Sequence, residues 1–434
     1  MSNELLGTVG ILTLLLLMFL RVPVGYAMAL SGIGGIALIL EPQAAISILK
    51  TVPFSTTAAY NLSVIPLFVF MGELALVCGM TSGLFNAFHK SIGHWRGGLA
   101  MAAILASSLF AAICGSSPAT AAAMGKVVLP EMSKYNYNKD FAAATVVAGG
   151  SLGSLIPPSV VGVIYGVLTE QSIGKVILAL LIPGFFLCFL YIITAYIVAR
   201  RHPELAPSGP RYSFKDKLKA FKGITSVLVI FVVSIGGIYL GYFTATEGAG
   251  VGCFLVLIYS LLTRNLTWKR FVESLMETGR VTGISFTIFI GAMIFSTLMT
   301  LSRWPMMLSE FITGLQVSTT MVIICIIVGY LVLGCFMDSL AMIFITVPIF
   351  FPIILNLGLD PIWFGVLVVS CSEAGLITPP VGMNLFVVSG IAQDVKMVNL
   401  YKAVIPYCIA IVIFLIILAL FPELALWLPQ HMTK

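Results

Sequence analysis

Charge is what this sequence lacks. Only 9% of its 434 residues are Asp, Glu, Lys or Arg, against about a quarter in a soluble domain. Histidine is scarce as well: His89, His94, His202 and His431 are all there is, and each falls in a predicted loop or helix end. No Cys-x-x-Cys occurs, and none of the eight cysteines is spaced with a histidine as a metal site requires. They read as small apolar packing residues. No phosphate-binding loop is present, so the chain does not hydrolyse ATP itself. Together these shortages exclude a cytosolic enzyme, a nucleic-acid-binding protein and a disordered chain.

What is abundant is apolar surface: 59% of the residues are hydrophobic and the mean hydropathy is +1.09. Spanning about 30 Å of hydrocarbon takes about 20 apolar residues. Segments 5–22, 23–41, 61–80, 175–199, 223–243, 247–263, 282–302 and 398–427 qualify as plain spans. The first follows Glu4 with no Lys or Arg before it and no small-residue cleavage site after it, so it reads as a retained helix. Four further apolar stretches, 97–130, 141–170, 319–356 and 361–393, are broken in the middle by Gly, Ser and Pro.

The net charge of +6 serves orientation. Arg200, Arg201, Arg211, Lys215, Lys217, Lys219 and Lys222, with Arg264, Lys269, Arg270 and Arg280, make up nearly half of the 23 basic residues. Both stretches are therefore assigned to the cytoplasm. Residues 200–222 read as a linker ending in a short basic surface helix, and 82–95 and 268–280 as similar interfacial helices.

Pro-Pro occurs twice, in Gly153-Ser-Leu-Ile-Pro157-Pro158 and Gly375-Leu-Ile-Thr-Pro379-Pro380. Both are G-x-x-x-P-P, 222 residues apart. The same offset aligns Ser117 with Ser339, Ala119 with Ala341 and Pro130 with Pro352. Self-similarity at half the chain length points to two structural repeats. With 97–130 and 319–356 as re-entrant hairpins and 141–170 and 361–393 as broken helices, the repeats come out inverted. The expected architecture is an all-α polytopic membrane protein with ten crossings, two re-entrant hairpins, two broken helices and both termini outside. It divides into N-terminal scaffold helices (1–60), repeat one (61–199), a linker with a scaffold helix pair (200–281) and repeat two (282–434). Lys90, Arg96, Lys134, Lys139, Lys396 and Lys402 then fall inside, and Lys50, Lys175, Arg303 and Lys434 outside.

Backbone broken at membrane depth costs several kcal/mol for each unpaired peptide group, and is tolerated where it lines a polar site. Proline bars a regular helix across the break, and glycine permits the sharp path. The carbonyls so released, with nearby hydroxyls, suit a small hard cation. One sodium site is expected per repeat: Ser117, Thr120, Gly153, Ile156 and Pro158 in the first, and Asp338, Ser339, Gly375, Thr378 and Pro380 in the second. The bland reading, Gly and Pro kinking packed helices, is weakened by the duplication.

Ionisable residues within apolar segments are functional candidates by default. Asp338, at the second hairpin tip, suits a cation or a substrate hydroxyl. Arg303 offers a fork for a carboxylate, with snorkelling to the outer interface as its alternative. Ser116 and Asn384 complete the expected substrate contacts. Glu373, aligned with Ser151, reads as orienting the second break. Ser116 and Ser117 have no His partner, and a dyad with Lys126 is the remaining hydrolytic alternative.

The stretches GSSPATAAAMG (115–125), GSLGSLIPPS (150–159), MDSLAMIFITVPIF (337–350), EAGLITPPVGMNLFV (373–387) and FTATEGAGVG (243–252) resemble the large membrane subunit of tripartite ATP-independent periplasmic (TRAP) transporters. The resemblance covers essentially the whole chain. In FTATEGAG the sequence departs from the Pro and Ala-rich run more usual in the family. The resemblance implies sodium-driven uptake of an organic acid by an elevator mechanism, with no cofactor beyond the coupling Na⁺. It implies a bacterial inner-membrane location and two partners: a small four-helix membrane subunit and a periplasmic substrate-binding protein. Carried over, Arg303 and Asp338 face the substrate. A standalone sodium–dicarboxylate symporter is the alternative.

Overall fold

The computed structural model describes residues 2–314 and 317–432, so Lys434 lies outside the described residues. Secondary structure there is helical, without strands. The N-terminal part forms α1 (Asn3–Phe19), α2 (Val24–Ile39) and α3 (Pro42–Thr57). A 3₁₀ turn, Tyr60–Ser63, leads into α4 (Val64–Val77) and then α5 (Met80–Ile92). The first hairpin is α6 (Gly98–Cys114) and α7 (Ser117–Lys134); the first broken helix is α8 (Lys139–Gly150) and α9 (Val160–Leu168), followed by α10 (Ile173–Arg201). After the polar linker come α11 (Phe214–Tyr239) and α12 (Ala245–Leu262).

The second repeat follows the same order. It comprises α13 (Trp268–Ser302), α14 (Trp304–Gly314), the hairpin α15 (Thr319–Gly334) and α16 (Ser339–Asn356), and the broken helix α17 (Pro361–Ile377) and α18 (Met383–Ile391). Then come α19 (Met397–Leu420) and α20 (Glu423–Gln430). Helices α7 and α16 are both 18 residues long and begin 222 positions apart (339 − 117), and α8 and α17 also begin 222 apart (361 − 139). Both Pro-Pro bonds at the breaks are cis.

Seven helical segments are long and apolar enough to cross a membrane, and α1, α2, α6, α15 and α17 are shorter apolar helices. Three sequence expectations are corrected. Residues 268–280 are the first turns of the 35-residue α13 rather than a separate interfacial helix. The basic helix at the end of the linker is likewise continuous with α11. Only glycines stand at these joints (Gly223, Gly279, Gly283), and a helix tolerates them at about 1 kcal/mol each. Residues 42–57, which carried no element, form α3, which starts with Pro42 in its first turn.

Helix starts follow from capping chemistry. The Asn138, Ser213 and Asp360 side chains accept first-turn N–H bonds, and Thr244 and Glu247 cap each other reciprocally. Small residues then let helices approach closely, as they do inside bilayers. Almost every residue of α6 and α17 is buried. Polar bonds brace the first broken helix: Ser151 meets Tyr191 of α10 at 3.0 Å, Thr145 meets Tyr407 of α19 at 2.9 Å, and the two tyrosine rings pack edge to face at 5.7 Å.

Candidate transport site

The tips of the two hairpins meet at one side chain. Glu373, on α17 and fully buried, accepts a hydrogen bond from Ser117 Oγ at 2.5 Å and from Ser339 Oγ at 3.3 Å. Ser117 is the first residue of α7 and Ser339 the first of α16, so one carboxyl group ties an arm of each hairpin to a single helix, α17. Ser154, within the first break, holds the other side of Ser117: its backbone N–H donates to Ser117 Oγ at 3.0 Å, and the two hydroxyls lie 3.0 Å apart.

Tip and break interlock through backbone in both repeats. Val160 N–H donates to the Gly115 carbonyl at 3.4 Å, and Gly382 N–H, 222 residues on, donates to the Cys335 carbonyl at 3.3 Å. Glycine is required where the chains touch. A Cβ at Gly153 would lie 2.5 Å from the Ser116 carbonyl oxygen, and one at Gly375 would lie 2.4 Å from the Cα of Gly334.

A cavity of about 110 Å³ lies against these tips. Ser116, Asp338 and Ser339 line it from the hairpins, Ser154 and Leu376 from the breaks, and Ser285 from α13. The starts of α7, α9 and α16 all border it, and each brings the positive end of a helix dipole. Asp338 caps α16 by accepting from Ala341 N–H at 3.1 Å, and Ser159 caps α9 by accepting from Gly162 N–H at 3.0 Å. Ser116 makes no such side-chain bond to α7; in that first turn Pro118 has no N–H, and Thr120 N–H donates to the Ser116 carbonyl at 3.0 Å.

Of the residues singled out in the sequence, the structure brings together Ser116, Ser117, Gly153, Asp338 and Ser339. Pro158 joins them through its carbonyl, which stands close beside Gly115. Ile156 is buried in the first break, and Thr120 Oγ1, on α7, is buried with no hydrogen-bond partner among the described residues. Gly375 packs on Gly334. Thr378 turns its hydroxyl back to the Ala374 carbonyl at 2.6 Å, and the Pro380 carbonyl accepts from Tyr401 at 2.5 Å. Asn384 is fully buried, and neither polar atom of its amide has a partner among the described residues.

Arg303 is not brought to this cluster. It is exposed, with φ +56°, at the joint between α13 and α14. The cavity touches α13 at Ser285, and Arg303 lies 18 residues further on (303 − 285), about 27 Å along the helix. Two cavity-lining hydroxyls that the sequence did not single out are Ser154 and Ser285. Ser154 was visible as the one hydroxyl inside the first G-x-x-x-P-P; Ser285 carries no local signal.

The sequence matches the family described as tripartite ATP-independent periplasmic transporter, DctM component, over residues 11–424. The chain belongs to this family. Similar proteins include the C4-dicarboxylate TRAP transporter large permease protein DctM of Pseudomonas aeruginosa, 37% identical over 92% of each chain. The sialic acid TRAP transporter large permease protein SiaM of Vibrio cholerae is 32% identical over 99% of this chain and 98% of its own. Among solved structures, the Alcanivorax borkumensis YdaH transporter shares the fold, with a TM-score of 0.63 at 14% identity over 88% of this chain and 89% of that one. This TRAP permease is thus a multi-pass protein of the bacterial inner membrane and a transporter subunit rather than an enzyme.

Proposed function

We propose that this TRAP permease takes up a small organic acid by sodium-coupled secondary transport. The hairpins and broken helices move as one transport body against α1–α4 and α11–α13, in an elevator motion with ten crossings and two inverted repeats. The observation that carries the reading is the junction at Glu373. Two re-entrant tips and two broken helices meet there, beside a cavity bordered by the starts of three helices. Sodium is held in the first repeat by Ser117, Thr120 and the carbonyls of Gly153, Ile156 and Pro158. In the second repeat it is held by Asp338, Ser339, Thr378 and the carbonyls of Gly375 and Pro380. The unpartnered amide of Asn384 and hydroxyl of Thr120 are buried groups that a ligand would satisfy.

The relatives' names specify dicarboxylates and sialic acid, so the substrate class is a carboxylate. A small four-helix membrane subunit and a periplasmic substrate-binding protein complete the system. The test is thermal unfolding of the purified chain in NaCl, KCl and choline chloride at matched ionic strength. Binding to the folded state alone stabilises it by about 2.7 kcal/mol at 100 times Kd. A saturable rise specific to sodium, lost in Ser117→Ala/Ser339→Ala, is expected. Identical curves in the three salts would refute sodium coupling.

A further inference from the structure

A groove of about 830 Å³, remote from the hairpin tips, runs between α10 and α19. Its walls are apolar: Ile193 and Ile197 on α10 and Ile409 and Ile413 on α19 all line it, and all four are exposed. Its mouth carries Arg201, the last residue of α10, and Lys402, in the second turn of α19. Both cations are exposed, and neither takes part in an ion pair among the described residues. Asp140 is the one acidic side chain lining the groove among those residues.

The dimensions identify the occupant. From Arg201 back to Leu190, and from Lys402 on to Ile413, are 11 residues each, about 16 Å of helix. One leaflet of a bilayer offers about 15 Å of hydrocarbon. The groove therefore has the depth of one leaflet, with its two free cations at headgroup level. A soluble anion gains nothing from the isoleucine walls, and a neutral lipid leaves the two cations unmatched. Basic pockets between membrane helices match anionic headgroups. We infer that this groove holds an anionic phospholipid, its phosphate between Arg201 and Lys402 and an acyl chain along the seam of α10 and α19. The site rests on neither sodium coupling nor the identity of the transported acid.

The experiment is native mass spectrometry of the full chain in detergent with equal amounts of phosphatidylglycerol and phosphatidylcholine. Wild type is expected to retain the anionic lipid preferentially. Arg201→Gln/Lys402→Gln should weaken that retention about 25-fold, at about fivefold per cation. Lys175→Gln, at the other end of α10, should leave it unchanged. A photoreactive residue in place of Ile409 should yield a lipid adduct. Equal retention of both lipids, an unchanged preference in the double variant, or a crosslink from position 409 to a second polypeptide would overturn the assignment.

Discussion

Replacing Glu373 by alanine removes the acceptor shared by two hydroxyls from opposite halves of the chain. Ser117 retains Ser154 as a partner, whereas Ser339 loses the only side-chain bond described for it. One orphaned buried hydroxyl costs about 1–3 kcal/mol, and the volume vacated by a fully buried side chain adds to it. The total is about 2–5 kcal/mol, a large share of the roughly 5–15 kcal/mol that holds a folded protein. Glutamine keeps the volume, accepts one hydroxyl bond through its oxygen and donates to the other through its amide, so Glu373→Gln should lose about 1 kcal/mol. The two variants are compared by thermal unfolding in detergent and by uptake in proteoliposomes. Glu373→Ala should be clearly less stable and inactive, with Glu373→Gln close to wild type in stability. Wild-type unfolding of Glu373→Ala would refute the view that this side chain ties the tips together.

Gly153→Ala and Gly375→Ala each force a methyl group into backbone, so both should lose uptake and destabilise by at least about 1–3 kcal/mol; normal uptake in either would show that tip and break do not touch as described. Arg303→Gly relieves a left-handed residue and should stabilise by about 1 kcal/mol with no change in apparent KM for the acid, whereas a raised KM would return Arg303 to the substrate site. The Lys139 ammonium, bonded to Asp394 at 2.6 Å, holds that carboxyl below its usual range. Its stabilising contribution is thus present at neutral pH and lost as pH falls through the depressed value. The small deficit of Asp394→Asn should accordingly vanish in acid, and a deficit independent of pH would mean the ion pair is not its cause.

The hairpin tips and helix breaks were legible because Gly and Pro act on the backbone where they stand, and because a repeat leaves its period in the sequence. The 222-residue offset, read from Pro-Pro and a few serines, pairs Ser117 with Ser339, and these two residues begin α7 and α16. Depth and partnership were not legible. Nothing near Glu373 announces that it reaches Ser117, 256 positions earlier. Charge marks the membrane surface but does not end a helix, so Lys269, Arg270 and Arg280 suggested a separate surface element where α13 runs on unbroken. For Arg303 the residue type suggested a carboxylate partner, while its place at the end of a 35-residue helix sets it about 27 Å from the cavity.

The bond between Ser117 and Glu373 also has a consequence in time. A ribosome adding about 5–20 residues per second needs about 13–50 s to make the 256 residues between them. For most of that interval the first hairpin is complete but Glu373 has not been synthesised. Its tip is held only from within its own half, by Ser154 and by the Gly115 carbonyl clasped by Val160. The nascent first half must therefore store a polar, glycine-rich loop inside the membrane and outlast quality-control proteolysis. Slow translation of the second half, or early truncation, would expose this protein to degradation at residues far upstream of the defect.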